Sequence, residues 1–328
     1  MQAVLAAVLL SIKANYRIFY ISITHQDAVG TFVNRNHLAG YLCMTLSVGI
    51  GLMMARLGHQ KRNQHANWKT RLASAFEFVL SPKMRLRMLL IVMVIGLVLT
   101  RSRMGNTAFF SAMLVVGAMA MVLARKTAPQ TMILIASLVI IDVLVVGTWV
   151  GLEKVVERVQ GTEVMTADGG KQESIEARSE AARTALAIIR DYPLVGTGGG
   201  SFYNIFLSYR TPQFGHTFLD HAHNDYVEIA SDFGLLGLGL LGLLVTSTLW
   251  TAIKVLKSRR SPLPWGMAFG VSMSVVALAV HSMVDFNLQI PANALTMVVI
   301  LAMGWISHHL PSSREQRTHS HKSKDELT

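Results

Sequence analysis

The 328-residue chain is 52% hydrophobic and carries a formal net charge of +11 at pH 7. Soluble domains are usually about 45–50% apolar. The larger apolar share of this chain, which is gathered into long runs, excludes an ordinary soluble fold. The single cysteine, Cys43, excludes an intrachain disulfide and a cysteine-based metal cluster.

The apolar runs have the length of membrane-spanning helices. About 20 apolar residues are needed to cross ~30 Å of hydrocarbon, and a helix satisfies its backbone groups there. Met1–Ile12 is too short to cross alone, so we expect a half-helix or the end of a span. Met88–Thr100 is also short, and we expect it to extend toward Phe110. The predicted spans are Leu38–Ala55, Met88–Thr100, Thr107–Ala124, Thr131–Val150, Ile229–Thr251, Trp265–Val284 and Ala292–Ile306.

The basic residues are distributed as in a membrane protein and not as in a nucleic-acid-binding protein. If the chain crosses the membrane once in each predicted span, every basic cluster lies on the same side of the membrane. The positive-inside rule identifies that side as cytoplasmic. The opposite side receives a long loop, about Gly151–Tyr226, and the polar stretches around Asn36, His223 and Asp285. The basic clusters are Arg56–Arg71, Ser81–Arg87, Ala124–Lys126, Lys254–Arg260 and the tail after His308.

The second half of the outer loop predicts an amphipathic helix that starts near Ser174 and stops before Pro193. Arg183 and Arg190 lie seven residues apart and therefore share a helix face. Two alternatives stay open: solvated helix positions, or bidentate contacts to an anionic headgroup or diphosphate. The apolar face comprises Ala181, Ala185, Ile188 and Ile189.

A glycine-rich stretch, "GTGGGSF" (Gly196–Phe202), follows this helix. It has no Gly-Lys-Ser/Thr ending, so it is not a nucleotide P-loop. It is either a sharp turn that returns the chain to the membrane or a set of backbone amides that face a diphosphate.

The stretch "HAHNDYVEIASDFGLLG" (His221–Gly237) places histidines and acids at the mouth of an apolar helix, where polar groups are costly. His223 is either a general base or an interfacial side chain. Asn224 has strong helix-cap propensity. Glu228, one turn later, is placed to orient His223 or to bind sugar. A metal site on His221, His223 and Asp225 is the weaker alternative, since residues two apart do not share a helix face.

These stretches together resemble the bacterial O-antigen ligase family. The chain resembles the family's histidine motif in the order and spacing of His223-Asn224, nine intervening residues, Gly234 and then Gly237. The resemblance covers roughly Gly30 to Gly304, with fewer predicted spans than family members usually have, so we expect the missing part to be N-terminal. The other matching segments are "GTFVNRNHLAGYL" (Gly30–Leu42), "LTRSRMG" (Leu99–Gly105), "RTALAIIRDYPLVGTGGGSF" (Arg183–Phe202) and "HSMVDFNLQIPANA" (His281–Ala294).

The resemblance implies a metal-independent membrane glycosyltransferase without a cofactor, acting on the periplasmic side of the bacterial inner membrane. The donor is a glycan on undecaprenyl diphosphate, and the acceptor is a sugar hydroxyl, typically on the lipid A core. His223 suits the general base, because imidazole titrates near ~6.5. Arg103, preferred over Arg101 because Ser102 precedes it, suits stabilisation of the leaving diphosphate. The expected substrate-binding residues are Arg183, Arg190, Arg35, Asn36, His221, Asn224, Glu228 and Asp285.

The expected fold is an all-α polytopic membrane protein, a GT-C-like helical bundle with a large periplasmic loop between two transmembrane helices. A polymerase that extends a chain on another lipid carrier is one alternative function. A transporter is another, although the predicted span interiors are nearly free of charge, with Asp142 the main exception. We expect contact with membrane lipid and none with nucleic acid. The predicted parts are 1–37 (N-terminal partial span), 38–150 (spans with a basic cytoplasmic loop), 151–228 (periplasmic catalytic loop), 229–307 (C-terminal spans) and 308–328 (basic cytoplasmic tail).

Overall fold

The structure is a computed structural model. It describes residues 1–12, 16–17, 20–21, 28–57, 81–123, 175–209, 220–259 and 261–310. The predicted span Thr131–Val150, the first part of the outer loop and the basic tail lie outside the described residues.

The described residues form helices and turns, apart from a two-residue antiparallel ladder that pairs Tyr16–Arg17 (β1) with Tyr20–Ile21 (β2). A 3₁₀ turn at Asn287–Gln289 precedes the last helix. The helices are α1 Gln2–Ser11, α2 Arg35–Leu57, α3 Pro82–Leu99, α4 Arg103–Leu123, α5 Ile175–Asp191, α6 Phe202–Tyr209, α7 Asp225–Ser258, α8 Pro262–His281 and α9 Pro291–His309.

Five of these helices (α2, α4, α7, α8 and α9) are long and apolar enough to cross a membrane. The sixth long helix of this bundle, α3, begins with Pro82 at its first turn, and Ser81 caps it by accepting a hydrogen bond from the Met84 N–H (3.2 Å). The chain is therefore an all-α polytopic membrane protein, as its apolar windows predict.

The centre of the bundle is the close packing of α2 against α8. Small residues line the contact, as is usual where helix backbones approach in a membrane. A side chain added at Gly51 would clash with the backbone oxygen of Gly266, and one at Gly270 would come within 3.0 Å of the Ser47 backbone oxygen. In each of the two helices, 67% of the apolar window is buried. The two helices therefore form the core around which the other spans pack.

The expectation that the span Met88–Thr100 extends into the next window is wrong. The helix ends at Leu99, and Arg101 adopts a left-handed backbone conformation (φ 51°) that no α-helix contains. The hydroxyl of Ser102 then accepts the Gly105 N–H (3.1 Å) and caps a new helix. The sequence "TRSRMG" thus turns the chain at one end of the bundle.

That end of the bundle gathers the polar residues from four segments of the chain. Asn293 Nδ2, at the start of α9, donates to the backbone oxygen of His37 near the start of α2 (3.0 Å). Cys43 Sγ donates to the backbone oxygen of Gly105 in the first turn of α4 (3.2 Å). The backbone N–H of Asp225, at the start of α7, donates to the oxygen of Ser282, just after α8 (3.0 Å).

Candidate active site

His223 lies in the turn that enters α7 and has a left-handed backbone (φ 52°). This conformation is uncommon outside glycine and is typical of functional sites. The next residue, Asn224, is the N-cap, and its Oδ1 accepts the N–H groups of Tyr226 (3.0 Å) and Val227 (3.2 Å). The cap explains the helix start, and the imidazole of His223 is buried (5% exposed).

Glu228 holds this turn from inside. Its Oε1 lies 2.6 Å from Nδ1 of His221, and its Oε2 accepts the N–H of Ala222 (2.8 Å). Burial by itself lowers the pKa of His221, but the hydrogen bond and charge of Glu228 outweigh it, so that the pKa is raised. Both carboxylate oxygens of Glu228 therefore fix the histidine turn.

Asp225 holds the loop between α8 and α9 against the same turn. Its Oδ2 accepts the hydroxyl of Ser282 (2.6 Å), and its Oδ1 accepts the N–H of Leu288 (3.0 Å). These two bonds hold both ends of the loop, and Asp285 and Phe286 therefore lie over His223.

Three histidines surround the buried carboxylate of Asp285. Its Oδ1 lies 4.0 Å from Nδ1 of His223 and 3.7 Å from Nε2 of His37, and its Oδ2 lies 3.9 Å from Nε2 of His281. Burial would raise the pKa of Asp285, but the nearby His37 and His281 and the N–H of Phe286, which donates to Oδ1 (2.9 Å), hold that pKa below its ordinary value. The arrangement is a carboxylate anion among imidazoles from α2, the α7 turn and α8.

Phe286 packs the histidines in fixed orientations. Its ring stacks on His221 at a centroid distance of 4.0 Å, and it meets His37 and His223 edge-on at 4.5 and 4.9 Å. Aromatic contacts of this geometry restrict ring rotation. Within the described part of the chain, no group of three or more His, Cys, Asp or Glu side chains has metal-binding geometry.

The predicted arginines lie on different elements. Arg103 is exposed at the first residue of α4. Gly105, one half-turn later, packs against Ala39 of α2, so Arg103 is at the His37 end of the bundle. Arg35, the first residue of α2, and Asn36 are partly exposed beside His37.

Arg183 and Arg190 are both exposed on α5, which the structure confirms from Ile175 to Asp191. The opposite, buried face of α5 packs with Phe202 and Phe206 of α6 and with Ala222 of the histidine turn. This packing places the outer-loop helix beside the turn that carries His223.

Backbone N–H groups of the glycine stretch bind the side-chain carboxylate of Asp232. Gly200 N–H donates to Asp232 Oδ2 (2.7 Å), and Phe202 N–H donates to Oδ1 (3.1 Å). Thr197 and Gly198 donate to the backbone oxygens of Ser231 and Asp232 (3.0 and 2.8 Å). Since these amides are occupied, the structure favours the turn that returns the chain to the membrane helix over a diphosphate cradle.

Sequence reasoning did not assign roles to His281 and Asp232, and it gave Asp225 only a helix-cap role or the weaker metal alternative. The spacing of these residues indicates shared helix faces. His281 precedes Asp285 by four residues, and Asp225, Glu228 and Asp232 follow a helical i, i+3, i+7 pattern. One buried acid face of α7 therefore holds three segments, with Asp225 on the loop after α8, Glu228 on the histidine turn and Asp232 on the glycine stretch.

Residues 88–242 match the family model described as O-antigen ligase. A comparison with curated proteins gives no significant match. The matched range contains Arg103, Arg183, Arg190 and His223, and the rest of the site comes from α2 and the loop after α8. This match supports an O-antigen ligase family assignment, and with it a membrane glycosyltransferase-type enzyme.

Proposed function

We propose that the chain transfers a glycan from undecaprenyl diphosphate to a sugar hydroxyl, as an O-antigen ligase, on the periplasmic side of the inner membrane. The observation that carries the proposal is the pairing of His223 with Asp285. The buried imidazole of His223, carried on a left-handed backbone, lies 4.0 Å from a buried carboxylate at the polar end of a membrane bundle. Such a pair suits a general base that works at the membrane surface.

His223 removes the proton from the acceptor hydroxyl, and the hydroxyl oxygen attacks the anomeric carbon of the donor sugar. The bond from that carbon to the diphosphate oxygen breaks, and undecaprenyl diphosphate leaves with the electron pair. Nδ1 is the ring nitrogen on the Asp285 side, so we assign the base role to Nε2. Asp285 then stabilises the imidazolium by charge, as a carboxylate does in other histidine-base sites.

We assign charge stabilisation of the leaving diphosphate to Arg103, which is exposed at the polar end of the bundle. An arginine is always charged and presents a planar fork that fits phosphate oxygens. Arg35 and Asn36 on α2, and Arg183 and Arg190 on α5, are the proposed contacts to the rest of the donor. Arg35 and Asn36 lie beside His37, whereas Arg183 and Arg190 lie on the exposed face of α5, opposite the face that packs on the histidine turn.

The roles of His221, Asn224 and Glu228 follow from their bonds. Asn224 caps α7 and its Nδ2 donates to the backbone oxygen of Met283 (2.9 Å), which ties the turn to the Asp285 loop. Glu228 fixes His221 and the backbone of Ala222. We therefore propose that Asn224 and Glu228 position His223, and that His221, partly exposed over Phe286, faces the acceptor.

The proposal is tested by complementation of a ligase-deficient strain with wild type, His223→Ala and Arg103→Ala, with lipopolysaccharide separated on a gel. We expect a restored ladder from wild type and none from the two variants at equal protein levels. The matched controls are His309→Ala and Arg85→Ala, which remove an exposed histidine and an exposed arginine at the ends of α9 and α3 away from the site. Both should give the full ladder.

A full ladder from His223→Ala would remove the general-base assignment. No ladder from well-expressed wild type would contradict the lipid A acceptor. Carrier-linked glycan that lengthens in the same strain would then favour the polymerase, which shares the donor chemistry. The variant Arg101→Ala, tested in the same strain, shows whether Arg101 or Arg103 stabilises the leaving diphosphate.

A further inference from the structure

Several apolar side chains of the outer loop and the start of α7 are exposed in the part of the chain that the structure describes. Leu194 and Val195 are 63% and 70% exposed, and Tyr203, Leu207 and Phe233 are about half exposed. We call these five residues the apolar ridge. A contiguous exposed apolar surface marks a contact with another apolar phase or partner.

Hydrogen bonds fix the ridge to the start of the lipid-facing part of α7. The break at Gly234 frees the next amides of the helix, and the backbone oxygens of Pro193 and Leu194 accept the N–H groups of Leu235 (2.8 Å) and Leu236 (3.2 Å). Leu235 and Leu236 are themselves exposed, and only 28% of the apolar window of α7 is buried. Leu194 and Val195 therefore lie at the depth of the first side chains that this span presents to lipid.

The helix α6 has two apolar faces. Phe202 and Phe206 are fully buried against α5, whereas Tyr203 and Leu207, four residues apart on another face, are exposed. Asn204 and Ser208, also four residues apart, are exposed on a third, polar face. The exposed apolar face of Tyr203 and Leu207 therefore needs an apolar environment that α5, among the described residues, does not supply.

A change of polarity marks where the ridge begins. Arg190 and Asp191, at the end of α5, are exposed, and the exposed apolar run starts with the next residue, Tyr192. Gly199 then packs directly over the Phe233 ring, which joins the glycine stretch to α7 beside the ridge. This sequence of charge followed by aromatic and aliphatic side chains is typical of a segment that enters a bilayer from its headgroup side.

We propose that the apolar ridge is inserted into the hydrocarbon of the bilayer and that its occupant is the acyl chains of the membrane lipids. The surface is continuous with the lipid-facing surface of α7, which is what identifies the partner. The insertion anchors α5 and α6 at the membrane and keeps Arg183 and Arg190 at headgroup depth. The inference goes beyond the proposed reaction, because it depends on exposure and depth alone.

Nitroxide scanning of the full chain tests the proposal. In a Cys43→Ala background, Val195→Cys and Leu207→Cys report on the ridge from two different elements. Leu240→Cys, exposed on the same helix as the attachment point, is the lipid reference, and Lys257→Cys at the end of that helix is the water reference. The labelled proteins are placed in vesicles of phosphatidylethanolamine and phosphatidylglycerol. Collision with oxygen, which concentrates in hydrocarbon, and with a water-soluble nickel chelate is then measured.

We expect the oxygen-to-nickel collision ratio at Val195 and Leu207 to match Leu240 and to exceed that at Lys257 several-fold. A ratio like that of Lys257 at both ridge positions would overturn the proposal, because the ridge would then face water. Low collision with both reagents would also overturn it, since a second copy or another protein would then cover the ridge. Neither measurement requires glycan transfer, so failure here is separable from failure of the proposed reaction.

Discussion

The backbone N–H of Gly200 donates a 2.7 Å hydrogen bond to Oδ2 of Asp232, although the two residues belong to different parts of the chain. The left-handed backbone of Gly200 (φ 72°) turns this amide toward the helix. Together with the Phe202 N–H on Oδ1 (3.1 Å), the bond makes Asp232 the internal anion of the glycine stretch. This buried carboxylate thus helps to hold the outer loop on α7, together with the backbone hydrogen bonds between the two segments.

Replacement of Asp232 by Asn should loosen the outer loop. The new amide group would set an N–H donor against the amides of Gly200 or Phe202, and charge-assisted bonds of this kind contribute about 1.5–3 kcal/mol each. We expect a lower Tm and faster proteolysis between residues 193 and 209. Ser201→Ala, which removes a 3.4 Å contact to the same carboxylate and the hydroxyl contact with Thr197 but leaves both amide bonds to Asp232 in place, is the matched control. Equal protease resistance in Asp232→Asn and wild type would contradict the role of Asp232.

A side chain at Gly234 should disrupt the same junction. Gly234 combines φ 69° with ψ −177°, a region that only glycine adopts readily, and an added Cβ would clash with the backbone oxygen of Leu194. We expect Gly234→Ala to lower the free energy of unfolding by at least about 2 kcal/mol. Gly239→Ala on the same helix meets no atom within 4 Å and should leave the stability nearly unchanged. Thermal unfolding in detergent measures both, and similar Tm values for the two variants would contradict the argument.

The sequence predicts the spans well, because apolar windows of sufficient length have few other structures open to them in a membrane. The helix over Ile175–Asp191 follows in the same way from local periodicity. The turn at Arg101 is missed because the apolar window Met88–Thr100 is too short to span alone and is extended in the wrong direction. The helix gains its length at its N-terminal end, from Pro82, and its end is set by a capping hydroxyl on Ser102 and one left-handed residue.

The site was predicted in its parts but not in its assembly. The motif around His223 identifies the turn, and Asp285 was included as a binding residue. That His37 and His281 lie on the same carboxylate could not be predicted, because their approach depends on the packing of α2 against α8. Periodicity describes one helix at a time, whereas this cluster is set by contacts between residues far apart in the chain.

Asp285→Asn should reduce turnover more than binding. The amide keeps an oxygen for the Phe286 N–H but removes the negative charge that faces His223. If the carboxylate stabilises the imidazolium, kcat should fall at least about tenfold, within the range of general-base effects, while KM changes little. Transfer in proteoliposomes from a lipid-linked donor measures both. Asp220→Asn, an exposed acid beside the same turn, should leave kcat unchanged. A rise of KM alone in Asp285→Asn would show that Asp285 binds substrate instead.

The pair of His221 and Glu228 should make stability depend on pH in a defined direction. Because Glu228 raises the pKa of His221 above the value of an unfolded histidine, ~6.5, the charged pair stabilises the fold fully below that value. The contribution is then lost as pH rises through the folded pKa. Near pH ~6 the free energy of unfolding of wild type should therefore exceed that of His221→Gln by on the order of 1.5 kcal/mol, and near pH ~9 by little. Thermal unfolding of both proteins at each pH measures this difference. His309→Gln, at an exposed site, should show no such trend. A difference that grows with pH would mean that the histidine is held neutral and that Glu228 does not share its proton.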